Sequence, residues 1–563
     1  MIRHHDSLVS TVALFFLIPM RSVYMAPFAG LVLLMVPALA QAPAAAKLPA
    51  AMIPLPERTI VKPVLDCAAL AKLEITDIPG APVRILSAKL NSATPENCIV
   101  TGYVAPQVQF ELRLPTQTYT GRYLQLGCGG NCGTVSFFAS PRCTAAVALG
   151  GAFAVAASNA GHLGANPGDG IWAYNDPQLR IDFGYRGPHV TSQAAKAIVT
   201  AYYGEAPRYS YFDGCSDGGR EGLQEAQRYP ADFNGIVAGS PAHMITEAME
   251  RFMWEARNGL DAQGNEVLPP QKLSLLHDAV ISDCDGRDGL VDGEIDDPRM
   301  CQYDPANLLC SGSQEQSSCL SAQQVEVARK FYAGPSTADG QKLYPGGEPY
   351  GSELTWAGNG SFTQSGTNLA NEFLKYMVYG DQKPPSFSWK DWKFTIDDLN
   401  SLKDGARIYD ATNPDLSGLR DAGGKLIVWQ GWADNAAGAY GTLDYYQAVQ
   451  NRFGGLAATL KFARVFMVPG VYHCGGGYLA YEEDLLGAMV SWVESGKAPD
   501  QVIATAQMQD GKLRTRPVYA YPMRARYKGA GDINDARNFE GAMPSPPPDD
   551  AYPWVGALTH RSR

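Results

Sequence analysis

Residues 209–220 read YSYFDGCSDGGR, an apolar run followed by a glycine-rich turn and the start of a polar segment. Within this stretch Gly214, Ser216 and Gly218 form the pattern GxSxG between a predicted strand and a predicted helix. In that context the pattern is typical of a nucleophile elbow, a tight turn that exposes a serine hydroxyl. Ser216 is therefore the candidate nucleophile, and the amide of Asp217 is a candidate oxyanion donor. GxSxG alone is a weak signal, since structural Gly-Ser turns also produce it.

Two downstream residues can complete a triad in the chain order Ser, Asp, His. Asp434 follows the apolar run 425–430, and His473 follows the apolar run 463–468. Of the histidines, only His473 and His560 lie beyond Asp434, and His560 falls in a predicted C-terminal tail. His473 is therefore the candidate base. In this arrangement the serine attacks an acyl carbon, the histidine transfers the proton and the aspartate fixes the imidazole tautomer.

Short apolar runs alternate with predicted helices on both sides of a long irregular segment. This alternation predicts a mostly parallel sheet with helices on its faces. The predicted strands include 122–126, 152–157, 209–212, 235–239, 425–430 and 463–468, and the predicted helices include 194–203 and 220–228.

Residues 242–414 lack the alternating pattern and are rich in Gly, Ser, Asn, Trp and Tyr. Because the strand pattern resumes at Lys425, this segment is predicted as an inserted lid domain and not as a second domain in series. The predicted organisation is a signal peptide at 1–40, a catalytic domain at 41–241 and 415–545, the lid at 242–414 and a C-terminal tail at 546–563.

The motifs together resemble the tannase/feruloyl esterase family, which includes tannases, feruloyl esterases and hydrolases of mono(2-hydroxyethyl) terephthalate. The resemblance rests on GCSDGG at 214–219, on Asp434 and on HCGGG at 473–477. It covers nearly all of the chain after residue 40, including RYKGAGDIN at 526–534. The resemblance implies an α/β-hydrolase core with a large lid, the triad Ser216, Asp434 and His473, and Gly127 as the second oxyanion amide beside Asp217, with Cys128 as the alternative.

All eleven cysteines lie after residue 40, and none forms a paired CxxC module, which favours disulfides and export over a metal site. Cys215 precedes the candidate nucleophile and Cys474 follows the candidate base, so the geometry that joins those residues favours a bridge over two buried thiols. An odd count predicts at least one free thiol. The resemblance implies the bridge Cys215–Cys474 as well, alongside Cys67–Cys98, Cys284–Cys301 and Cys310–Cys319, and the pairing of Cys128, Cys132 and Cys143 is left open.

Residues 285–295 read DGRDGLVDGEI, a glycine-rich loop with closely spaced carboxylates. Such oxygen ligands suit Ca²⁺, although the spacing differs from an EF-hand and a solvated acidic loop is equally compatible with the residues alone. The resemblance implies a structural Ca²⁺ in the lid. The implied ligands are the side chains of Asp285, Asp288 and Asp292 and the carbonyls of Leu290 and Glu294. Where members of the family often have an apolar residue, the Glu294 side chain can add a carboxylate.

Composition limits the class of protein to which the chain can belong, and the N-terminal sequence indicates its cellular location. A net charge of −11 provides no excess of basic residues that could bind nucleic acid. A content of 45% hydrophobic and 18% charged residues indicates a globular protein.

The apolar runs 9–19 and 27–40 are too short to span a bilayer. The second run ends in Ala-Leu-Ala at residue 40, which is typical of signal cleavage, with Met25 as an alternative start. The mature protein is therefore predicted to be secreted or periplasmic, with no membrane segment.

The sequence favours a secreted serine esterase that cleaves small esters of aromatic acids through an acyl-enzyme. Within the same family, a mono(2-hydroxyethyl) terephthalate hydrolase is the alternative, which is weakened because residues 368–392 contain no Arg for the terephthalate carboxylate. A non-catalytic, calcium-stabilised binding protein and a metallohydrolase using the acidic loop are the other hypotheses. The sequence does not predict an oligomeric state. Five aromatic residues of the lid can stack on an aryl ring, although their irregular spacing is more typical of packing: Trp356, Phe362, Phe373, Tyr376 and Tyr379.

Overall fold

The computed structural model describes residues 52–557 and 560, except for 77, 138–150, 165, 167, 313–315, 358–367, 385, 509 and 547. The predicted signal peptide, Cys143 and Phe362 lie outside these described residues. The strands are β1 (Val83–Asn91), β2 (Asn97–Val104), β3 (Val108–Pro115), β4 (Arg122–Leu126), β5 (Phe153–Ser158), β6 (Tyr209–Cys215), β7 (Gly235–Gly239), β8 (Lys425–Gly431), β9 (Ala463–Val468), β10 (Gln501–Gln507), β11 (Leu513–Tyr519), β12 (Arg524–Tyr527) and β13 (Phe539–Ala542).

The helices vary from one turn to more than four turns. They are α1 (Pro177–Ile181), α2 (Gly187–Tyr203), α3 (Asp217–Arg228), α4 (Ile245–Gly259), α5 (Pro270–Cys284), α6 (Ala322–Ala333), α7 (Ile396–Ser401), α8 (Lys403–Tyr409), α9 (Ser417–Asp421), α10 (Ala439–Phe453), α11 (Leu456–Thr459) and α12 (Leu485–Ser495).

A nine-stranded sheet carries the fold, in the spatial order β1-β2-β3-β5-β4-β6-β7-β8-β9. Neighbours from β5 to β9 in this order are parallel. Strands β4, β5, β7 and β9 are buried along their whole length, as expected for parallel strands covered on both faces. Helices α2, α3 and α10 pack on one face, and α12 packs on the other. The prediction of a mostly parallel sheet is confirmed.

Three antiparallel strands, β1 to β3, extend this sheet beyond β5 and were not anticipated from the sequence. Strand β2 alternates buried and half-buried residues along its length, the pattern of a sheet with one covered face. The disulfide Cys67–Cys98 joins the short 3₁₀ helix Cys67–Lys72, which precedes β1, to strand β2.

The segment 242–414, predicted as a lid, contains α4 to α8 and builds one apolar cluster of its own. It shares a second apolar cluster with residues outside the segment, among them Phe183 and Trp554. Trp356, Phe373 and Tyr379 are each less than 5% exposed within these clusters, so their role is packing. Tyr376 is half-buried, with its ring 5.9 Å from that of Tyr174. Three of the four candidate stacking residues that the structure describes are therefore packing residues.

The segment 546–563, predicted as a tail, is instead packed against the protein over much of its described part. Trp554 and His560 are buried, and His560 Nε2 lies 2.6 Å from Glu247 Oε1. The amide of Tyr552 donates to Asp444 at 3.1 Å. This packing is not evident from the sequence, because the proline-rich stretch 545–548 precedes the buried residues. In the part of the chain that the structure describes, no helix is both long and apolar enough to cross a membrane.

Candidate active site

Ser216 lies in the turn between β6 and α3 and has φ 64° and ψ −120°, a left-handed conformation rare for a residue with a side chain. The flanking glycines allow this turn because backbones approach closely there. A Cβ on Gly214 would lie 2.6 Å from the carbonyl carbon of Gly218, and a Cβ on Gly218 would lie 2.9 Å from the carbonyl oxygen of Cys128. The GxSxG pattern thus has the strained strand-turn-helix geometry of a nucleophile elbow.

The structure brings the three candidate triad residues together at the carboxyl end of the parallel strands. His473 Nε2 is 2.8 Å from Ser216 Oγ. His473 Nδ1 is 3.1 Å from each carboxylate oxygen of Asp434. Ser216 follows β6, Asp434 follows β8 and His473 follows β9, so three strand ends at one sheet edge produce the arrangement. These distances match the hydrogen-bond chain of a Ser-His-Asp triad.

The Asp434 carboxylate is completely buried and surrounded by donors. Its Oδ1 accepts hydrogen bonds from the amides of Ala436 and Ala437 at 2.8 and 3.1 Å, and its Oδ2 accepts one from Gln430 Nε2 at 2.7 Å. Burial alone would raise the pKa of Asp434, but the charge and hydrogen bond of His473 and these amides outweigh burial and lower it. Asp434 is therefore held ionised and in a fixed orientation toward the imidazole.

A disulfide ties the two sides of the candidate site together. Cys215 and Cys474 are bonded, with their Cα atoms 5.9 Å apart. Because these residues adjoin Ser216 and His473, the nucleophile and base loops are covalently linked. The structure also contains the three other expected bridges, Cys67–Cys98, Cys284–Cys301 and Cys310–Cys319, and it pairs Cys128 with Cys132, which the sequence left open.

The oxyanion candidates differ in their environments. The amide of Asp217 lies at the N-terminus of α3, directly after the candidate nucleophile. The Gly127 amide, however, donates to the Asp213 carbonyl at 2.9 Å and continues the pairing of β4 with β6. The Cys128 amide donates to Glu221 Oε2 at 3.0 Å. The structure therefore does not support Gly127 as the second oxyanion donor, because its amide is part of the sheet.

Two buried carboxyl groups, those of Asp217 and Glu221, lie in helix α3 directly after Ser216. Asp217 pairs with Arg220 at 2.6 Å, and both side chains are buried. Burial, followed by repulsion from Asp217, raises the pKa of Glu221 to about 8, although Arg220 and the Cys128 amide oppose the shift. The raised pKa favours the protonated form of Glu221 at pH 7, and its carboxyl group accepts a hydrogen bond from the loop that follows β4.

The acidic loop 285–295 folds around its first aspartate. Asp285 accepts hydrogen bonds from the amides of Asp292 and Gly293 at 3.0 and 2.8 Å. Burial, and then repulsion among neighbouring carboxylates, raises the pKa values of Asp288 and Asp292 to about 6. Asp292 Oδ1 is buried without a hydrogen-bond partner among the described residues. An oxygen-rich loop with an unsatisfied buried carboxylate oxygen fits a hard cation such as Ca²⁺.

The Glu294 carboxylate, expected as an additional Ca²⁺ ligand, instead contacts a tyrosine and two arginines. Its Oε2 accepts a hydrogen bond from the Tyr481 hydroxyl at 2.7 Å and lies 3.5 Å from Arg516 Nη2 and 3.7 Å from Arg514 Nη1. Arg516 also pairs with Asp292. The Glu294 carboxylate is therefore engaged in a buried ion pair, which leaves its carbonyl, with that of Leu290, as the predicted ligand.

Sequence reasoning missed several polar residues that support the candidate site. Gln430 bonds Asp434, Glu221 accepts the Cys128 amide, and Arg251 donates to the carbonyls of Asn435 and Ala436. Gln430 is the last residue of the predicted strand before Asp434, and its position there is the one available signal. Nothing in the sequence connects Arg251 with residues that lie 184 and 185 positions away.

Comparison with known proteins agrees with this geometry. The family model described as tannase and feruloyl esterase matches residues 93–542. The chain is 35% identical over 524 residues to a mono(2-hydroxyethyl) terephthalate hydrolase of Piscinibacter sakaiensis, covering 80% of this chain and 86% of that protein. It is 33% identical over 459 residues to a probable feruloyl esterase B-1 of Aspergillus terreus, covering 77% and 83% of the two chains.

A solved structure shares the architecture. The crystal structure of feruloyl esterase B from Aspergillus oryzae superimposes with a TM-score of 0.73 at 26% identity, covering 85% of this chain and 100% of that chain. The family match spans most of the chain and includes the strands that carry Ser216, Asp434 and His473. The chain therefore belongs to the tannase and feruloyl esterase family of carboxylic ester hydrolases.

Proposed function

We propose that the protein hydrolyses esters of aromatic acids through an acyl-enzyme on Ser216, with His473 as general base and Asp434 as the orienting acid. The observation that carries the proposal is the continuous chain of contacts from Ser216 Oγ to His473, 2.8 Å, and from His473 to Asp434, 3.1 Å. The elbow conformation of the serine supports it independently, because a strained left-handed serine persists only where the surrounding structure fixes it.

The reaction takes place in two halves. Ser216 Oγ attacks the ester carbonyl carbon while His473 Nε2 accepts the hydroxyl proton, and the leaving alcohol departs with that proton. Water then attacks the acyl-serine by the same route and releases the carboxylic acid. The Asp217 amide stabilises the negative charge that develops on the carbonyl oxygen in each half. The buried Asp434 carboxylate stabilises the imidazolium that forms transiently at His473.

An aromatic acyl group is supported by the relatives, whose names describe action on feruloyl esters and on a terephthalate half-ester. We assign the core to the α/β-hydrolase type, with residues 242–414 inserted between β7 and β8 as a lid beside the triad. The C-terminal strands and the rest of the core then belong to one catalytic domain interrupted by that insertion.

The acidic loop of the lid is assigned a structural Ca²⁺. Asp285, Asp288 and Asp292 would hold it with their side chains, and Leu290 and Glu294 with their carbonyls. When bound, the ion supplies charge neutralisation to a buried anionic loop. Five disulfides among the described residues support assignment of the mature protein to an oxidising compartment, either outside the cell or in a periplasm.

Hydrolysis of methyl ferulate, methyl gallate and mono(2-hydroxyethyl) terephthalate by the wild type and by Ser216→Ala tests the proposal. We expect turnover of at least one ester by the wild type and none above background by the variant. Equal turnover by both proteins would exclude the serine mechanism. Failure of a folded, calcium-supplied wild type on all three esters would exclude the proposed acyl class.

A terephthalate half-ester is the second candidate substrate. The 35% identity to a mono(2-hydroxyethyl) terephthalate hydrolase favours it. The stretch 368–392 contains no Arg that could pair with the free carboxylate of that substrate. In the same panel, a higher kcat/KM for the half-ester than for methyl ferulate would establish this candidate.

A further inference from the structure

Arg251 is a buried cation in the segment 242–414 that contacts the loop carrying the triad acid. It lies in α4, and its side chain is 2% exposed. At one side Nη1 donates to Glu255 Oε1 at 2.9 Å and also bonds Glu348. At the other side Nη2 donates to the carbonyls of Asn435 and Ala436 at 2.5 and 2.6 Å. The guanidinium therefore connects two carboxylates of the insertion with the backbone that follows Asp434.

Two peptide groups connect the Arg251 guanidinium with the Asp434 carboxylate, since each peptide group is hydrogen-bonded to both side chains. The carbonyl of Asn435 accepts from Arg251, and the N–H of the same peptide group, on Ala436, donates to Asp434 Oδ1 at 2.8 Å. The next peptide group repeats the arrangement, with the Ala436 carbonyl on Arg251 and the Ala437 N–H on Asp434 at 3.1 Å. Both peptide dipoles thus point from a cation to an anion, an alignment in which each hydrogen bond strengthens the next.

The charges around Arg251 keep this arrangement intact. Burial opposes the charged form, but Glu348 and Glu255 outweigh it and raise the pKa of Arg251 above its ordinary value. Asp434 is a smaller contributor in the same direction. A planar guanidinium is suited to this position because its fork can serve carboxylates and carbonyls on different sides at once.

We propose that Arg251 is a positioning residue that fixes the Asp434 carboxylate through the peptide groups 435–436 and 436–437. The inference rests on the proposed function, since it assigns Asp434 to the triad. It makes the geometry of the triad dependent on α4, so that the inserted segment contributes to nucleophile activation without contacting the reacting atoms.

The test compares Arg251→Ala and Arg251→Lys with Arg122→Ala and Arg122→Lys. Arg122 is a matched control because its side chain is also 2% exposed and pairs with Glu494 at 2.7 Å. It lies at the first residue of β4, whereas the triad lies beyond the last residues of the parallel strands. Both sets remove a buried, paired guanidinium, and only one set removes a link to Asp434.

Two readouts report on the triad: kcat and KM for an ester substrate, and the rate of Ser216 phosphonylation by a fluorophosphonate probe. We expect Arg251→Ala to lower kcat and the phosphonylation rate about 10- to 100-fold, the effect of a small misplacement of catalytic groups, with KM nearly unchanged. Arg251→Lys should recover part of the loss. Its ammonium group keeps the positive charge, but it lacks the planar guanidinium that donates to carboxylates and carbonyls on different sides at once. Both Arg122 variants should retain rates within about twofold of the wild type per folded molecule.

Equal losses in the Arg251 and Arg122 variants would overturn the inference, as would an Arg251→Lys variant as active as the wild type. If Arg251→Ala fails to fold, the kcat and the phosphonylation rate of Arg251→Lys alone test the inference. The lysine variant should fold because its ammonium group still provides a cation for Glu255 and Glu348. The probe separates the inference from the proposed function. A labelled wild type that cleaves no aromatic ester contradicts only the substrate class, whereas an unlabelled Ser216 contradicts the triad and the inference together.

Discussion

The Asp434 carboxylate receives hydrogen bonds from Gln430, Ala436, Ala437 and His473, so each of its oxygens has more than one partner. We expect Asp434→Asn to reduce kcat about 10⁴-fold, because an amide at this position favours the wrong imidazole tautomer. The side chain keeps its volume, so the folded structure should be retained. Steady-state kinetics with circular dichroism checks this, and a variant with near wild-type kcat would remove Asp434 from the triad.

Glu221 should make the stability of the protein sensitive to alkaline pH. Its pKa is raised from 4.5 to about 8, so the folded protein binds this proton more tightly than the unfolded chain does. The resulting stability is complete below about pH 4.5 and is lost as the pH rises through about 8. Glu221→Gln removes this titration, and its amide oxygen can still accept the Cys128 N–H.

We therefore expect Glu221→Gln to have a higher melting temperature than the wild type at pH 9, with a smaller difference at pH 5. Thermal unfolding from pH 5 to 9 measures the two curves. Glu111→Gln is the matched control, because this half-exposed glutamate lies in the antiparallel strand β3, away from the turn. Parallel curves for Glu221→Gln and the wild type would show that Glu221 is ionised in the folded state.

At the scale of elements, the strands β6, β8 and β9 place the three candidate triad residues at one edge of the sheet, and the Cys215–Cys474 bridge links two of the loops there. This bridge spans 259 residues, whereas Cys310–Cys319 spans 9. In the chain-entropy description, longer loops gain more stability from closure, about 5 to 6 kcal/mol against about 2 to 3 kcal/mol for these two.

Replacing both cysteines of the longer bridge with alanine should therefore destabilise the protein by about twice as much as replacing those of the shorter one. Only Cys215→Ala/Cys474→Ala should also lower kcat, because it releases the loops of Ser216 and His473. Denaturant unfolding and ester hydrolysis of the two double variants provide the comparison. Equal midpoints and equal kcat values would show that the long bridge has no special role at the site.

The sequence was most informative where strands are buried on both faces. Strands β4, β7 and β9 lie at their predicted positions, because a short, mostly apolar run that ends at glycine or proline leaves little alternative. The strands β1 to β3 were missed since a half-exposed strand gives a weaker, alternating pattern. The packing of the C-terminal segment was not anticipated because its buried residues Trp554 and His560 follow a proline-rich stretch and form no helical or strand-like periodic pattern.

At the scale of the whole molecule, the residues of the candidate site also divide into those with a clear local sequence pattern and those without one. Ser216, Asp434 and His473 were found because their motifs are local and follow strands. Arg251, Gln430 and Glu221 act through contacts that only the assembled chain creates, so their residue types alone carried no signal. The oxyanion assignment of Gly127 failed for a related reason, since the use of a backbone amide by a neighbouring strand is decided by pairing and not by the residue itself.

A structural Ca²⁺ would act on the stability of the whole protein and leave the chemistry to the triad. We expect EGTA to lower the melting temperature and added Ca²⁺ to restore it, while activity below the transition is retained. Asp285→Asn should weaken the response, and Asp304→Asn is its control because that exposed carboxylate lies outside the loop and pairs with Arg329. Rapid, reversible loss of activity with the fold intact would instead indicate a catalytic metal.

The separation of Ser216 and His473 by 257 residues has a consequence for biosynthesis. Ribosomes extend a chain at about 5 to 20 residues per second, so Ser216 is made about 10 to 50 seconds before His473. During that interval the nascent polypeptide carries a serine with no imidazole to activate it. On the proposed function, prematurely terminated chains that end before β9 lack His473 and should be inert as esterases.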